Sequence, residues 1–146
     1  MKIFAIKIID TSIRKRDGFP YCIGEIQIGD FKETFEMPLG YWTMQDYEKQ
    51  WKQGIERIKN HDKSCLITEL QDPTKDPWAN TWVLYKDGHT VHIQNNLLMG
   101  KRFSKLLKKE PYTIETCYNF IIPRETKSDD GMQISEWDIN LEDIVT

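Results

Sequence analysis

Histidines are the first residues to consider for chemistry, because imidazole transfers protons and binds metals near neutral pH. The chain has three, His61, His89 and His92. His89 and His92 are three residues apart on a predicted strand, so their side chains point to opposite faces and cannot jointly bind one metal. His61 follows the predicted main helix, where a cation is favourable near the helix C-terminus. The pattern therefore predicts neither a metal site nor a catalytic base.

Paired carboxylates are the other common source of acid–base chemistry. Glu69, Asp72 and Asp76 are close in sequence, but the prolines at 73 and 77 place them in a loop, which favours solvated charge. No serine stands in a nucleophile-elbow sequence, and the glycines are scattered and do not form a phosphate-binding loop. We therefore expect a protein without enzymatic activity and without a cofactor.

The cysteines and the N-terminus bear on the compartment. Cys22, Cys65 and Cys117 lie far apart, each in an apparent strand, whereas zinc sites need tighter spacing. An odd number of dispersed cysteines predicts free, buried thiols in a reducing cytoplasm. Residues 1–10 alternate, run into charge and lack a small-residue cleavage site, so they predict a strand instead of a signal peptide. No apolar run approaches the roughly 18 residues of a membrane span, and we expect no membrane partner.

Negative charge is concentrated near the C-terminus. The whole chain has a formal net charge of −3, but residues 125–146 contain seven carboxylates and one lysine, which give −6. One interpretation is a solvated strand face and tail. The other is a docking surface for a basic partner. The candidate residues are Asp129, Asp130, Glu136 and Asp138, with a second patch formed by Asp72, Asp76 and Trp78. Trp137 alternates with the acids and is predicted to point into the core.

A basic stretch offers a different function. Residues 101–109 contain five lysines and arginines around Phe103 and a Leu-Leu pair. Such a segment could bind the phosphates of single-stranded nucleic acid. Because Phe103, Leu106 and Leu107 recur at helical spacing, an ordinary amphipathic helix with a solvated basic side is the simpler interpretation. The net charge argues against nucleic-acid binding by the chain as a whole.

The main helix is predicted over residues 43–60. Thr43 is suited to cap it, and Asp46 stands where a capping-box partner belongs. Its apolar stripe has spacings of three and four and consists of Met44, Tyr47, Trp51, Ile55 and Ile58. A stripe of this width must pack on an apolar surface, and we expect that surface to be a sheet.

The remainder predicts strands. Gly29-Asp30 and Asp87-Gly88 are hairpin signals. Strands are expected at 2–9, 21–28, 31–37, 64–70, 80–85, 90–95, 112–121 and 133–141, with loops at 11–20, 72–78 and 126–131. The first strand is apolar on both faces and is expected inside the sheet. We predict a single α+β domain over residues 1–146, with an antiparallel sheet of about six to eight strands, the main helix packed on it and a short second helix at 101–109.

The amino-acid sequence of the helix segment also resembles that of a known family. The residues that carry the resemblance are Trp42, Tyr47, Glu48, Gln50, Trp51, Gly54, Arg57 and Ile58, followed by the strand at 64–68. Together they resemble the immunity proteins of bacterial contact-dependent growth inhibition systems. The segments 82–85 and 134–139 are similar to later strands of the same proteins.

The resemblance implies a cytoplasmic, non-enzymatic protein that binds and neutralises the C-terminal toxin domain of a neighbouring cell's surface protein. Such toxins are commonly nucleases, so the expected partner is a basic ribonuclease or deoxyribonuclease domain. Family motifs assign no toxin-binding residue, because the toxin-facing surfaces vary, and the helix residues are expected to maintain the fold. Two alternatives remain open: a single-strand nucleic-acid module based on residues 101–109, and a small enzyme whose site is assembled from residues that the sequence alone does not bring together.

Overall fold

A computed structural model describes residues 1–145 of the chain. The strands are β1 Phe4–Arg16, β2 Phe19–Ile28, β3 Phe31–Pro38, β4 Lys63–Leu70, β5 Trp78–Asp87, β6 Thr90–Met99 and β7 Trp137–Asn140. The helices are α1 Met44–Arg57 and α2 Gly100–Leu107, with short 3-10 helices at Cys117–Phe120 and Leu141–Asp143. No helix in this range is long and apolar enough to cross a bilayer.

The strands form two antiparallel sheets. The first has the order β1-β2-β3 and the second the order β4-β5-β6-β7. The predicted α+β class, the strand number and the docked main helix are confirmed, with the strands divided between two sheets. Since each neighbour in a sheet is also a neighbour in sequence or nearly so, short hairpins account for most of the topology.

An aromatic cluster joins the two sheets. The ring of Phe31 on β3 lies 4.4 Å from that of Trp137 on β7 and 6.0 Å from that of Trp82 on β5, measured between centroids. Trp82 is 2% exposed and packs against Trp137 at 5.5 Å. The prediction that Trp137 points into the core is thereby confirmed, and one face of the second sheet is covered by the first sheet around Trp82.

Helix α1 begins with the predicted capping box. Thr43 Oγ1 accepts a hydrogen bond from Asp46 N at 3.2 Å, and the Asp46 carboxylate accepts one from Thr43 N at 2.9 Å. These bonds satisfy two backbone N–H groups that the first helical turn leaves without partners.

The same helix covers the outer edge of β4. Gln50 replaces a neighbouring strand there, because its Nε2 donates to Cys65 O and its Oε1 accepts from Ile67 N, both at 2.8 Å. Trp51 Nε1 donates to Ile67 O at 2.7 Å. An uncovered edge would leave these backbone groups buried without partners or open to another chain. The Gln-Trp pair of the sequence motif thus closes a sheet edge.

Two further motif residues bring the helix close to β4. The Tyr47 hydroxyl donates to Pro38 O at 2.7 Å and accepts from Leu70 N at 3.1 Å. At Gly54, a Cβ atom would lie 2.5 Å from Cys65 O and 2.8 Å from Leu66 Cδ2, so a side chain is excluded. Tyr47, Gln50, Trp51 and Gly54 of the motif therefore hold α1 against β4, in agreement with the expected structural role.

Two predictions about β1 are wrong. Residues 11–20 are not a loop, since β1 continues to Arg16 and turns at Asp17-Gly18 into β2. β1 is the outer strand of its sheet instead of an inner one, and its distal part is exposed on both sides. Such a strand needs no alternation of apolar and polar residues, which explains why its sequence resembles a loop.

The C-terminal third is less regular than expected. Residues 112–121 contain a 3-10 helix instead of a strand, and only Trp137–Asn140 of the predicted strand 133–141 joins a sheet. The Thr116 hydroxyl donates to Pro111 O at 2.5 Å and accepts from Thr113 N at 2.9 Å, which favours a turn at this point. The predicted short second helix is confirmed as α2.

All three cysteines are free and buried, which confirms the prediction of unpaired thiols. Cys65 lies on β4 and Cys22 on β2, whereas Cys117 is in the 3-10 helix. The neighbouring Cys117 thiol and burial both raise the pKa of Cys65. A thiol with a raised pKa is a poor nucleophile, so Cys65 has a structural role.

Candidate functional site

Two of the predicted toxin-binding carboxylates meet around His92, a residue that sequence reasoning considered for chemistry but did not connect with them. His92 Nδ1 lies 2.7 Å from Asp138 Oδ1 and 3.5 Å from Glu136 Oε1. The contact exists because β6 and β7 pair in register, with His92 opposite Asp138. Asp87, at the end of β5, lies 3.9 Å from the other ring nitrogen. We call His92, Glu136 and Asp138 the histidine cluster.

The histidine cluster is also in contact with a cation, the Arg124 guanidinium. Arg124 Nε and Nη2 donate to the two oxygens of Glu136 at 2.9 and 2.7 Å, and Gln94 Nε2 donates to the same carboxylate at 2.7 Å. The hydrogen bond from Arg124 lowers the pKa of Glu136. Glu136 is half-buried, and its charge is already paired with Arg124. It therefore stabilises the C-terminal segment.

The histidine cluster has the ligand types of a metal site. Its three potential ligand atoms lie within 4.8 Å of one another. The Arg124 guanidinium, however, occupies both oxygens of Glu136. A bound cation would have to displace it against charge repulsion. The donor set does not fit a resident metal.

Asp129 and Asp130 lie elsewhere, at the tip of a short exposed hairpin-like segment closed by the bridge between Lys127 and Gln133. Ser128 hydrogen-bonds to the Asp130 carboxylate and holds the pKa of that group below its usual range. Both aspartates are charged and accessible, so they can meet a basic partner without desolvating an existing ion pair.

The second predicted patch lies at the opposite end of the sheet. Asp72 caps its loop, because its Oδ1 accepts from Thr74 N at 2.9 Å, and Asp76 is exposed. Trp78 was expected in the loop but is the first residue of β5, directly opposite Met99 on β6. His92 and Met99 are seven residues apart on one strand, or about 23 Å. The two candidate patches are therefore separate surfaces.

Glu69 is not the solvated loop charge that the sequence suggested. It lies on β4, is half-buried and pairs across the sheet with Asn80. Desolvation raises its pKa to about 7, hydrogen bonding by Asn80 opposes that rise, and the nearby carboxylates of Glu36 and Glu33 add to it. None of the ion pairs within residues 1–145 involves Glu69.

A pH dependence of stability follows from Glu69. Its folded-state pKa of about 7 exceeds its ordinary value of 4.5, so the native state binds the proton more tightly. The free energy of unfolding should therefore fall as pH rises from 4.5 to 7. Glu69→Gln removes that loss, and the variant should gain stability over the parent at pH 8 but not at pH 4.5. Urea titrations at both pH values measure the difference in the free energy of unfolding, and Glu48→Gln on the exposed side of α1 is the control. An equal effect of Glu69→Gln at pH 4.5 and pH 8 would contradict the raised pKa of Glu69.

The basic stretch forms α2 and is amphipathic. Phe103 is 1% exposed and packs edge-on against Tyr112 and Phe120, while Lys101, Arg102 and Lys105 are exposed. A buried ring cannot stack on a nucleic-acid base. The arrangement favours an ordinary amphipathic helix over the single-strand-binding module.

A comparison with known protein families decides the class. The model of the family described as CdiI N-terminal domain matches residues 37–146. The chain belongs to this CdiI family. The matched region begins in β3 and includes the edge-closing helix α1, the whole second sheet and the C-terminal segment.

A curated protein and a solved structure extend the match. The "Immunity protein CdiI" of Enterobacter cloacae subsp. cloacae (strain ATCC 13047) is 33% identical over 121 residues, which cover 82% of this chain and 79% of that protein. A chain of the solved "CdiA-CT/CdiI toxin and immunity complex from Enterobacter cloacae" superposes with a TM-score of 0.81 at 30% identity, covering 97% of this chain and 93% of the other. The protein is a CdiI-like immunity protein in sequence and fold, as the resemblance implied.

Proposed function

We propose that this protein binds the C-terminal toxin domain delivered by a contact-dependent growth inhibition system and neutralises it inside the cell. The observation that carries the proposal is the match over 97% of the chain to a chain of a solved toxin and immunity complex. Immunity works by direct binding, so the functional groups are surface residues that complement the toxin, and a catalytic constellation is unnecessary.

The partner we propose is a basic toxin domain, a ribonuclease or a deoxyribonuclease, met in the cytoplasm. A nuclease must present positive charge to a phosphate backbone. The accessible carboxylates Asp129, Asp130 and Asp138 supply the complementary charge, with Asp72 and Asp76 at the other end of the sheet. Since Glu136 is held by Arg124, its role is to fix the segment that carries the others.

In the proposed mechanism, this protein inhibits the toxin by stoichiometric binding and does not act as an enzyme. Within residues 1–145, the histidine cluster is the one group of His, Cys, Asp and Glu side chains close enough to share a metal ion, and Arg124 and Gln94 already hydrogen-bond its glutamate. A half-buried carboxylate whose charge is already paired with a guanidinium makes a poor general base.

Growth protection tests the proposal. The toxin domain encoded directly upstream is expressed from an inducible promoter with or without this protein, and colony formation is counted. Protection by this chain, and none by a CdiI from an unrelated toxin pair expressed at the same level, is expected. Equal killing with and without the chain would overturn the proposed function.

A further inference from the structure

One face of the second sheet is only half covered. Residues opposite each other on antiparallel strands point to the same face, and so do residues two apart on one strand. Trp82, Asn80 and Trp78 on β5 therefore share a face with Leu97 and Met99, which stand opposite Asn80 and Trp78. The first sheet covers the Trp82 end of this face through Phe31.

The uncovered end is apolar. Leu97 is 49% exposed and Met99 is 53% exposed, and the half-buried indole of Trp78 lies beside them. We call these three residues the open face. Three large apolar side chains in neighbouring rows form a contiguous exposed patch, and such patches are candidate interaction surfaces. Of these three residues, sequence reasoning selected only Trp78, because the strand that carries Leu97 and Met99 was predicted to end at residue 95.

The edge of the open face is acidic. Glu69 on β4, Asn80 and Leu97 form one row across three strands. Strands are about 4.8 Å apart, so the Glu69 and Leu97 backbones are separated by about 10 Å. Glu33 and Glu36 of β3 are close enough to act on Glu69. Arg16 pairs with Glu36 at 2.7 Å, which leaves the half-buried Glu69 without a cation within residues 1–145.

We propose that the open face, with Glu69 at its edge, is the contact centre for the toxin domain, where it receives an apolar side chain flanked by a lysine or arginine that pairs with Glu69. This inference rests on the proposed function and names the surface that performs it. An apolar centre that contains a Trp and is bordered by charge is the usual arrangement of a binding hot spot. A desolvated carboxylate without a paired cation gains most from a cation brought by the ligand.

The open face and the C-terminal carboxylates have different roles in the proposed complex. Asp138 lies at the other end of β6, and Asp129 and Asp130 lie on the exposed segment that leads into β7, so we expect these charges to influence approach over a distance. The open face lies where close packing with a partner excludes water, and it sets the lifetime of the complex.

The test compares two pairs of exposed apolar residues. Leu97→Ser with Met99→Ser removes the centre of the open face, and Ile13→Ser with Phe19→Ser removes a matched pair on the β1–β2 hairpin, 64% and 73% exposed. Binding to the upstream-encoded toxin domain, carrying an inactivating substitution, is followed by surface plasmon resonance. The first pair should raise Kd about 30-fold or more through faster dissociation, and the second should leave Kd within about threefold.

Glu69→Gln provides a readout that misfolding cannot imitate. It should weaken toxin binding about tenfold while increasing stability at pH 8. A Kd for the Leu97/Met99 pair within threefold of the parent, or an equal loss in the Ile13/Phe19 control, would overturn the proposed contact centre and leave the immunity function standing. Failure of the unchanged protein to bind would overturn both.

Discussion

Replacing Trp51 with alanine is expected to lower the free energy of unfolding by about 3–5 kcal/mol. The indole is 3% exposed, packs edge-on against Phe35 at 6.1 Å and donates from Nε1 to Ile67 O at 2.7 Å. Truncation therefore leaves a cavity between α1 and β3 and a buried carbonyl without its donor at the edge of β4. Both penalties act at the point where the helix closes the second sheet.

Two further variants separate these contributions. Trp51→Phe keeps a ring but removes the donor, and it should cost about 1–3 kcal/mol. Phe19→Ala truncates an aromatic side chain that is 73% exposed and should change stability by less than about 1 kcal/mol. Urea denaturation followed by circular dichroism measures all three. A loss below about 1 kcal/mol for Trp51→Ala would mean that α1 does not dock as described.

Neutralising the accessible C-terminal carboxylates is expected to slow association with the toxin domain about tenfold at low salt. Asp129, Asp130 and Asp138 are changed together to Asn, and Glu136 is kept because Arg124 and Gln94 hold it in the fold. The three side chains are exposed, so we expect them to lie at the rim of the interface. The triple variant should then have a lower association rate constant that depends less on salt, and a nearly unchanged dissociation rate constant.

A control with the same charge change isolates the position of the charge. Glu48, Glu56 and Glu115 are exposed elsewhere and can be changed together to Gln. Stopped-flow association of each triple variant with the inactivated toxin domain is measured from 50 to 500 mM NaCl. Equal slowing by both triples would assign the effect to net charge alone, and an unchanged rate for the aspartate triple would remove this segment from the mechanism.

The sequence predicted the local features of α1 well. The spacing of its apolar stripe and the Thr43–Asp46 capping box depend on neighbours three and four residues away, and both are confirmed. The reason for its unusual residues was not predictable, because the bonds of Gln50 to Cys65 and Ile67 require knowing that β4 is an outer strand. The resemblance supplied the function class, while the packing explains why those residues are needed.

The mistaken strand predictions have different physical origins. β1 runs on to Arg16 although its distal part is polar, since an exposed outer strand buries little. The Asp17-Gly18 turn, with φ of 51° and 83°, was a hairpin signal in the sequence that the polar composition concealed. Residues 112–121 are apolar enough for a strand, but the hydroxyl bonds of Thr113 and Thr116 favour turns.

The candidate site depended on strand register, which the sequence does not give. The histidine cluster exists because β6 pairs with β7 so that His92 faces Asp138. The open face exists because β6 extends to Met99 and pairs there with Trp78. Asp72, Asp76 and Trp78 were selected from composition, and the pairing of Trp78 with exposed residues of another strand joins that patch to a larger surface.

Direct binding of the purified proteins tests the central claim most directly. This chain is titrated by isothermal calorimetry with the inactivated toxin domain encoded upstream, and the E. cloacae CdiA-CT domain serves as the non-cognate control. A saturable one-to-one complex with Kd of roughly 10⁻⁷ M or tighter is expected, with no heat of binding for the control. Absence of binding to the cognate domain at tens of micromolar would contradict the account of this protein as a toxin-neutralising immunity protein.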